Sequence, residues 1–362
     1  MTYAADTPPA SAAAPTADSA TDEALGALLT LPKPEVAAGV IEGALAQHWG
    51  LAGKMQPLAG ERDLNFCLTT AAGTKYLVKL THPAESPAMT EFQTGAMVHV
   101  ADRDPSLPVP RVIRPADGAL WVALPEGRLR VFTWLEGEPM SSGPRSDAQA
   151  RASGEMLARL TRALRDYSHP AADHVLLWDI RQTPRLLPLL PSIADETLRS
   201  GAGAFVARFT TGITPRLADL PWQVCHSDLN PHNLLVDPAQ PDQITGLIDF
   251  GDMVYTPRIC DLGVAAAYQI DPARPLERLS EFVAGYTSVL PLTAPELDLL
   301  FDMITARMIT TLSITSWRAA RYPENAPYIL RNAPSARAGL AAFRAIGADA
   351  ATRAFHLAAT GA

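Results

Sequence analysis

The stretch "HSDLNPHNLLVD" (226–237) gathers two histidines, two aspartates and two asparagines in a chain otherwise rich in alanine and leucine. A second polar group, "DFGD" (249–252), begins sixteen residues after Asn233. Apolar runs at 233–237 and 244–250, split by the turn "PAQPDQ", predict two short strands joined as a hairpin. We therefore expect the two polar groups to meet at one end of that hairpin.

The spacing Asp228-x₄-Asn233, followed by Asp249-Phe250-Gly251, is the arrangement of a kinase catalytic loop. In phosphoryl transfer the protein contributes mainly positioning and charge neutralisation. One carboxylate must hold the attacking hydroxyl and take its proton, while amide and carboxylate oxygens hold Mg²⁺, which prefers hard oxygen ligands. Either fragment alone is also explained by turn capping, a common use of Asp and Asn. Both fragments in order, on strands joined by a short turn, favour a metal–phosphate site.

The two stretches together, "HSDLNPHNLLVD…ITGLIDFGDMVYTPRICDLG", resemble the aminoglycoside phosphotransferase/choline kinase family, the small-molecule branch of the protein-kinase-like fold. Ser227 stands where that family usually has glycine, a departure that affects a tight turn more than any functional group. Within the family, the sequence is most similar to hydroxylysine kinases and their bacterial relatives. The motifs that carry this likeness are "DLNF" (63–66), "YLVKL" (76–80), "EFQ" (91–93) and "RYPENAPYIL" (321–330).

The resemblance implies an α+β, bilobal protein-kinase-like fold with a small antiparallel-sheet N-lobe and a mainly helical C-lobe. Hydrophobic periodicity agrees with this. It predicts strands at 64–70, 75–81, 120–124 and 129–135, and helices near 36–49, 91–102, 148–165, 195–211, 258–270, 276–290, 295–320 and 334–349. We expect a disordered tail at 1–25, which is rich in Ala, Pro, Ser and Thr, a nucleotide-binding lobe at 26–133, and a catalytic and substrate-binding lobe at 134–362.

The resemblance also implies roles for individual residues. Asp228 would be the catalytic base, and Asn233 and Asp249 would bind Mg²⁺. Lys79 would reach the nucleotide phosphates, and Glu91 on the following helix would pair with it. The chain has only four lysines, so a lysine within a strand pattern stands out, although an exposed strand lysine remains the alternative. Glu91 also suits a helix start for dipole reasons alone.

Two further segments are expected to contact the nucleotide. The turn "LAGERDLN" (58–65) would cover the phosphates, with Gly60 at its centre and Asn65 bracing it, although plain turn bracing is an equal alternative. The linker "VFTWLEG" (131–137) would offer backbone groups of Phe132 and Thr133 to the purine edge. These groups do not distinguish ATP from GTP, and the resemblance to hydroxylysine kinases favours GTP.

The acceptor is expected to be a small amino-containing metabolite. Asp261 follows Asp249 by only twelve residues, which leaves no room for the long segment with which a protein kinase docks a peptide. Asp252 and Glu324 could bind a substrate ammonium group, although Asp252 could instead touch a second metal or cap a turn. By resemblance 5-hydroxylysine is the first candidate. Homoserine, choline and ethanolamine are alternatives, and a catalytically silent nucleotide-binding module is the non-enzymatic alternative.

Composition limits the partners and the compartment. The formal net charge of −8 argues against bulk nucleic-acid binding and weakly against anionic membranes. Three cysteines without metal-ligand spacing fit a reduced, cytoplasmic compartment. The N-terminus lacks the basic and apolar segments of a signal peptide, and no apolar run is long enough to span a bilayer.

Overall fold

A computed structural model describes residues 34–58, 60 and 63–361. The expected tail at 1–25 lies outside the described residues. The strands are, in chain order, β1 Gly53–Leu58, β2 Leu64–Thr70, β3 Lys75–Thr81, β4 Val112–Ile113, β5 Val122–Leu124, β6 Gly127–Thr133, β7 Glu138–Pro139, β8 Trp222–Cys225, β9 Leu234–Asp237, β10 Gln240–Leu247 and β11 Val254–Pro257.

The α-helices are α1 Ala38–Trp49, α2 Pro87–Arg103, α3 Asp147–Leu164, α4 Glu196–Arg208, α5 Thr214–Leu217, α6 Arg258–Ala267, α7 Glu277–Val289, α8 Ala294–Arg321, α9 Ala326–Ile329, α10 Ala333–Ile346 and α11 Ala348–Thr360. Shorter 3₁₀ segments lie at Met140–Ser142, Ile180–Ser192, Pro323–Asn325 and Leu330–Asn332, and a π-helical turn lies at Phe209–Ile213.

The N-terminal sheet is antiparallel, in the order β1-β2-β3-β6-β4, with β5 also paired to β6. The β2–β3 hairpin forms because two alternating runs flank a turn whose Gly73 adopts φ +82°, a conformation that favours glycine. Val78 and Leu80 are fully buried in a small core with Leu129 and Val131 of β6. Helix α2, which the sequence predicts near 91–102, packs beside this sheet, where Thr90 and Thr94 accept hydrogen bonds from Arg128 and Arg130 of β6.

The C-terminal part is mainly helical and contains the larger apolar core. Helix α8 is 28 residues long and begins with a capping box between Thr293 and Glu296. Helices α3 and α7 cross at their backbones, because Gly154 faces the Phe282 carbonyl and Gly285 faces the Arg151 carbonyl too closely for a Cβ atom. Together the sheet and the helices form the predicted α+β, bilobal architecture, while the lobe boundary at 133/134 stays a prediction.

Two small sheets position the polar segments found in the sequence. Strand β9 pairs with β10 and β7, and β8 pairs with β11. The loop 226–233 runs from β8 to β9, and the loop 248–253 runs from β10 to β11. Because β8 pairs with β11 and β9 pairs with β10, both loops connect the same two sheets and lie side by side. None of the described helices is long and apolar enough to cross a membrane.

Candidate active site

The loop between β8 and β9 is held in a strained conformation. Ser227 has φ +63°, in the left-handed region that costs a residue with a Cβ roughly 1–2 kcal/mol. Its backbone N–H donates to Oδ1 of Asp261, in the first turn of α6, at 2.9 Å. Burial raises the pKa of the Asp261 carboxyl, against the opposing effect of the nearby His226 ring and of hydrogen bonds from Ser227 and His226. The contact anchors this loop to the start of α6.

His226 lies fully buried beneath the same loop. Its Nδ1 accepts a hydrogen bond from the Asp228 backbone N–H at 3.3 Å, and its ring meets Phe250 edge-on with centroids 4.9 Å apart. Burial lowers the pKa of His226, so the imidazole is neutral near pH 7. A neutral, buried ring that accepts a backbone hydrogen bond fixes the loop and is not placed to take a proton from an acceptor.

The Asp228 carboxylate is held from two sides. Oδ2 accepts from Nδ2 of Asn233 at 2.8 Å, and Oδ1 accepts from Nη2 of Arg307 at 3.0 Å. Burial raises the pKa of Asp228 to about 6, because desolvation outweighs the positive charge of Arg307 and the negative charge of Asp249 adds to the rise. A carboxyl group with this pKa is ionised at pH 7 and can still accept a proton, as a general base requires.

Asn233 and Asp249 are brought together by the β9–β10 hairpin. The Asn233 carbonyl accepts from the N–H of Ile248, the residue before Asp249, at 2.9 Å. Asn233 Nδ2 donates to the backbone carbonyl of Asp228 as well as to its carboxylate, so the side-chain Oδ1 is the atom left to serve as a ligand. Asp249 adopts φ +66°, and its Oδ1 accepts from the Gly251 N–H at 3.2 Å.

This donor set fits Mg²⁺. It offers an amide oxygen from Asn233 and carboxylate oxygens from Asp249, which are hard ligands. Across the described ranges, no group of three or more His, Cys, Asp or Glu side chains forms a protein-only metal cage. Mg²⁺ in phosphotransferases is held by one or two carboxylates together with substrate phosphates and water, so a sparse set is the appropriate one.

Lys79 forms its ion pair within the sheet, and the predicted pair with Glu91 is wrong. Lys79 Nζ lies 2.9 Å from Oδ2 of Asp63, whose Oδ1 accepts from the His82 N–H at 3.1 Å. The strand register explains this pair. Lys79 on β3 lies directly opposite Asn65 on β2, and Asp63 is only two residues before Asn65 in the chain. Glu91 is exposed on α2, and its charge acts on Tyr167, whose pKa burial and Glu91 together raise to about 12.

Sequence reasoning missed a buried arginine of the N-terminal sheet and a contact between the lobes. Arg130 lies opposite Lys79 on β6, fully buried, and donates to Oγ1 of Thr94 on α2. Burial lowers the pKa of Arg130, and the negative charges of Glu85, Asp63 and Asp249 oppose this effect. Gln93 Nε2 on α2 donates to the Gly251 carbonyl at 3.1 Å. Gln93, rather than Glu91, therefore connects α2 to the "DFG" segment, and its signal was the motif "EFQ" itself.

The structure shows the surroundings of the residues that are predicted to contact the nucleotide. A Cβ on Gly60 would lie 2.8 Å from the backbone carbonyl oxygen of Asp63, so a side chain at this position would force the turn to shift. Phe132 is buried in the larger core, and its register places it between Leu77 and Val112. Thr133 already donates its N–H to the Arg111 carbonyl at 2.9 Å, so that N–H is not available to a purine. The roles of Gly60, Asn65, Phe132 and Thr133 stay predictions.

The two predicted acceptor residues differ in position. Asp252 is half-buried after the "DFG" segment, and its charge acts on Arg307. Glu324 is exposed in the 3₁₀ turn that follows α8, and no hydrogen bond or ion pair joins it to Asp228 or Arg307 in the described part of the chain. Arg307 was not identified from the sequence, where it appears only as a lone arginine within the apolar run "MITARMIT" of α8.

Comparison with known proteins places this site in a family. A family model described as "Phosphotransferase enzyme family" matches residues 54–297. A hydroxylysine kinase of Mus musculus is 26% identical over 305 residues, covering 76% of this chain and 81% of that protein. A homoserine kinase of Methylocella silvestris is 29% identical over 272 residues, covering 70% and 77% respectively.

The structural comparison concerns the fold. The solved structure of an amicoumacin kinase in complex with AMP-PNP, Ca²⁺ and Ami superposes with a TM-score of 0.61 at 17% identity, covering 87% of this chain and 94% of that one. This likeness confirms the protein-kinase-like fold. Because the family model spans more than half of the chain, the protein belongs to the phosphotransferase enzyme family.

Proposed function

We propose that this phosphotransferase moves the γ-phosphate of ATP or GTP, with Mg²⁺, to the hydroxyl of a small amino-containing metabolite, with 5-hydroxylysine as the first candidate. The observation that carries the proposal is the position of the Asp228 carboxylate. It is held by Asn233 and Arg307, has a pKa of about 6, and lies at the loop beside Asp249.

The residues divide the reaction between them. Asp228 orients the acceptor hydroxyl and takes its proton as the acceptor oxygen bonds to the γ-phosphorus and the bond to the leaving diphosphate oxygen breaks. Asn233 Oδ1 and the Asp249 carboxylate would hold Mg²⁺, which neutralises charge on the nucleotide phosphates. Lys79, kept extended by Asp63, contacts those phosphates from the sheet side.

The substrate assignment rests on the relatives and on charge. Mammalian and fish relatives are named hydroxylysine kinases, with 26% identity over 305 residues for the mouse protein. Asp252 supplies negative charge for a substrate ammonium group next to the proposed base. Homoserine is the second candidate, because the homoserine kinase of Methylocella silvestris is similar over 70% of this chain. A cytoplasmic location, where nucleotide triphosphates and Mg²⁺ are available, completes the proposal.

A coupled assay of nucleotide diphosphate release tests the function. It is run with ATP and with GTP over 5-hydroxylysine, homoserine, choline, ethanolamine and aminoglycosides. The proposal expects the highest kcat/KM for 5-hydroxylysine or homoserine. Preference for choline, ethanolamine or an aminoglycoside would contradict 5-hydroxylysine as the first candidate, and no release above the nucleotide-only background with any acceptor would contradict the function itself.

A further inference from the structure

Arg307 is a buried cation at the proposed acceptor side of the site. It projects from the middle of α8, where its neighbours along the helix are core residues, and its side chain is only 5% exposed. Nη2 donates to Asp228 Oδ1 at 3.0 Å and to the Tyr268 hydroxyl at 3.1 Å. A charge this far from water needs a reason, because desolvating a guanidinium costs several kcal/mol.

Two aromatic rings hold the guanidinium in place. Its central carbon lies 5.1 Å from the Trp178 ring centroid and 5.7 Å from that of Tyr268. Both rings are only half-buried, so part of this aromatic wall is open to solvent. Cation–π contacts of this kind fix the plane of the guanidinium before any ligand arrives, which lowers the entropic cost of binding.

The hydrogen-bonding capacity of Arg307 is incompletely used. A guanidinium has five N–H donors. Nη2 has the two acceptors given above, Nη1 has the Trp178 carbonyl at a long 3.4 Å, and the buried Nε has no acceptor. Holding Asp228 needs one donor at most, and a compact lysine charge would suffice for that. One N–H of Nη1 is therefore left for a second carboxylate, and the planar guanidinium, unlike an ammonium, holds that donor at a fixed angle to the donors that bind Asp228.

We propose that Arg307 binds the carboxylate of the acceptor, so that the substrate of this enzyme is a hydroxy amino acid rather than an amino alcohol. This inference rests on the proposed kinase function and narrows its substrate class. The acidic groups around it, Asp228 and Asp252, then face the ammonium end of the same zwitterion. Sequence reasoning considered only the ammonium end, for which it selected acidic residues.

Paired acceptors that differ only in the carboxylate test this proposal. The pairs are 5-hydroxylysine against the diamino alcohol left when its carboxylate is removed, and homoserine against 3-amino-1-propanol. For the wild-type enzyme we expect kcat/KM to be about 10- to 150-fold higher for the carboxylate-bearing member, mostly through KM, as one charge-assisted contact provides. Equal values within either active pair would overturn the proposal while leaving the kinase function in place.

The variants Arg307→Met and Arg307→Lys separate ligand binding from a purely structural role. If Arg307 binds the carboxylate, Arg307→Met abolishes the preference within each pair, and Arg307→Lys restores part of it. If Arg307 only positions Asp228, both members lose activity equally and the ratio is unchanged, which would contradict the proposal. Arg151→Met, at a half-exposed ion pair with Glu281, is the matched control and should leave the ratio unchanged.

Thermal unfolding establishes that each variant is folded. If the wild-type enzyme transfers phosphate to no acceptor at all, the proposed function fails, and the carboxylate inference falls with it. That result differs from equal transfer to both members of a pair, which overturns the inference alone.

Discussion

At the scale of single residues, the site depends on how burial and neighbouring charges act on one carboxylate. Asp228 is desolvated and lies near Asp249, and both effects disfavour its ionised form, while Arg307 and Asn233 favour it. The balance keeps the pKa of Asp228 near 6, so the carboxyl group can both take up and release a proton near neutral pH. A carboxylate in water would be a weaker base at neutral pH.

This balance predicts the pH dependence of activity. The folded-state pKa of Asp228 is raised to about 6, so the base is protonated and inactive below that value. We expect kcat/KM to be level above about pH 7 and to fall roughly tenfold per pH unit below about pH 6, because kcat/KM reports groups of the free enzyme. Initial rates in a series of buffers measure this. A profile that stays flat down to pH 5 would contradict Asp228 as the base.

Ser227 provides a stability prediction at the same scale. Its φ of +63° is strained for serine, and its buried Oγ has no hydrogen-bond partner. Ser227→Gly should therefore raise the free energy of unfolding by up to about 1 kcal/mol, the relief of strain exceeding the greater entropy of glycine in the unfolded chain. Chemical denaturation measures this. Ser153→Gly, within α3, is the control and should destabilise; a loss of stability in Ser227→Gly would contradict the strain.

At the scale of helices and strands, local pattern predicts most elements and fails where an element depends on distant partners. The predicted strands at 64–70 and 75–81 match β2 and β3, and the helix predicted near 295–320 matches α8 to within one residue at each end. The four-residue strands β8 and β11 are too short to show alternation, and each exists because it pairs with the other. The 3₁₀ segment Ile180–Ser192 contains three prolines, and these obscure the helical periodicity by which a helix is predicted from the sequence.

The close crossing of helices α3 and α7 predicts how a substitution at their contact changes the stability of the protein. Gly285→Ala would place a Cβ against the Arg151 carbonyl, so the two helices must separate. We expect a loss of about 1–3 kcal/mol of unfolding free energy, as for other overpacked contacts. Gly43→Ala in α1, where a Cβ meets nothing within 4 Å, is the matched control and should be neutral or stabilising. Equal effects of the two substitutions on the unfolding midpoint would contradict the close crossing.

At the scale of the whole molecule, the site is assembled from both lobes. In the proposed site, Lys79 and Arg130 come from the N-terminal sheet, Asp228 and Asp249 come from the two loops that connect the small sheets, and Arg307 comes from the long helix α8. Sequence motifs predict Asp228, Asn233 and Asp249 as site residues because these residues are close in the chain and of a type that phosphoryl transfer requires. Arg307 lies 79 residues from Asp228 within an apolar helix, so only the tertiary fold brings the two together.

Coupling between the lobes predicts stabilisation by nucleotide. ATP or GTP with Mg²⁺ should raise the unfolding midpoint of the chain, because a ligand at a hundredfold excess over its Kd adds about 2.7 kcal/mol. Removing Mg²⁺ with a chelator, or substituting Asp249→Ala, should abolish most of this shift, since Asp249 is the proposed carboxylate ligand. An undiminished shift in Asp249→Ala would contradict that role.

The most direct test of the central claim is the turnover rate of Asp228→Asn with its best acceptor, measured beside its nucleotide affinity by calorimetric titration. The amide has the shape of the carboxylate but cannot take a proton, so we expect kcat to fall by at least about 10²-fold while nucleotide affinity and the unfolding midpoint change little. Turnover within a few-fold of the wild-type enzyme would contradict Asp228 as the group that activates the acceptor hydroxyl.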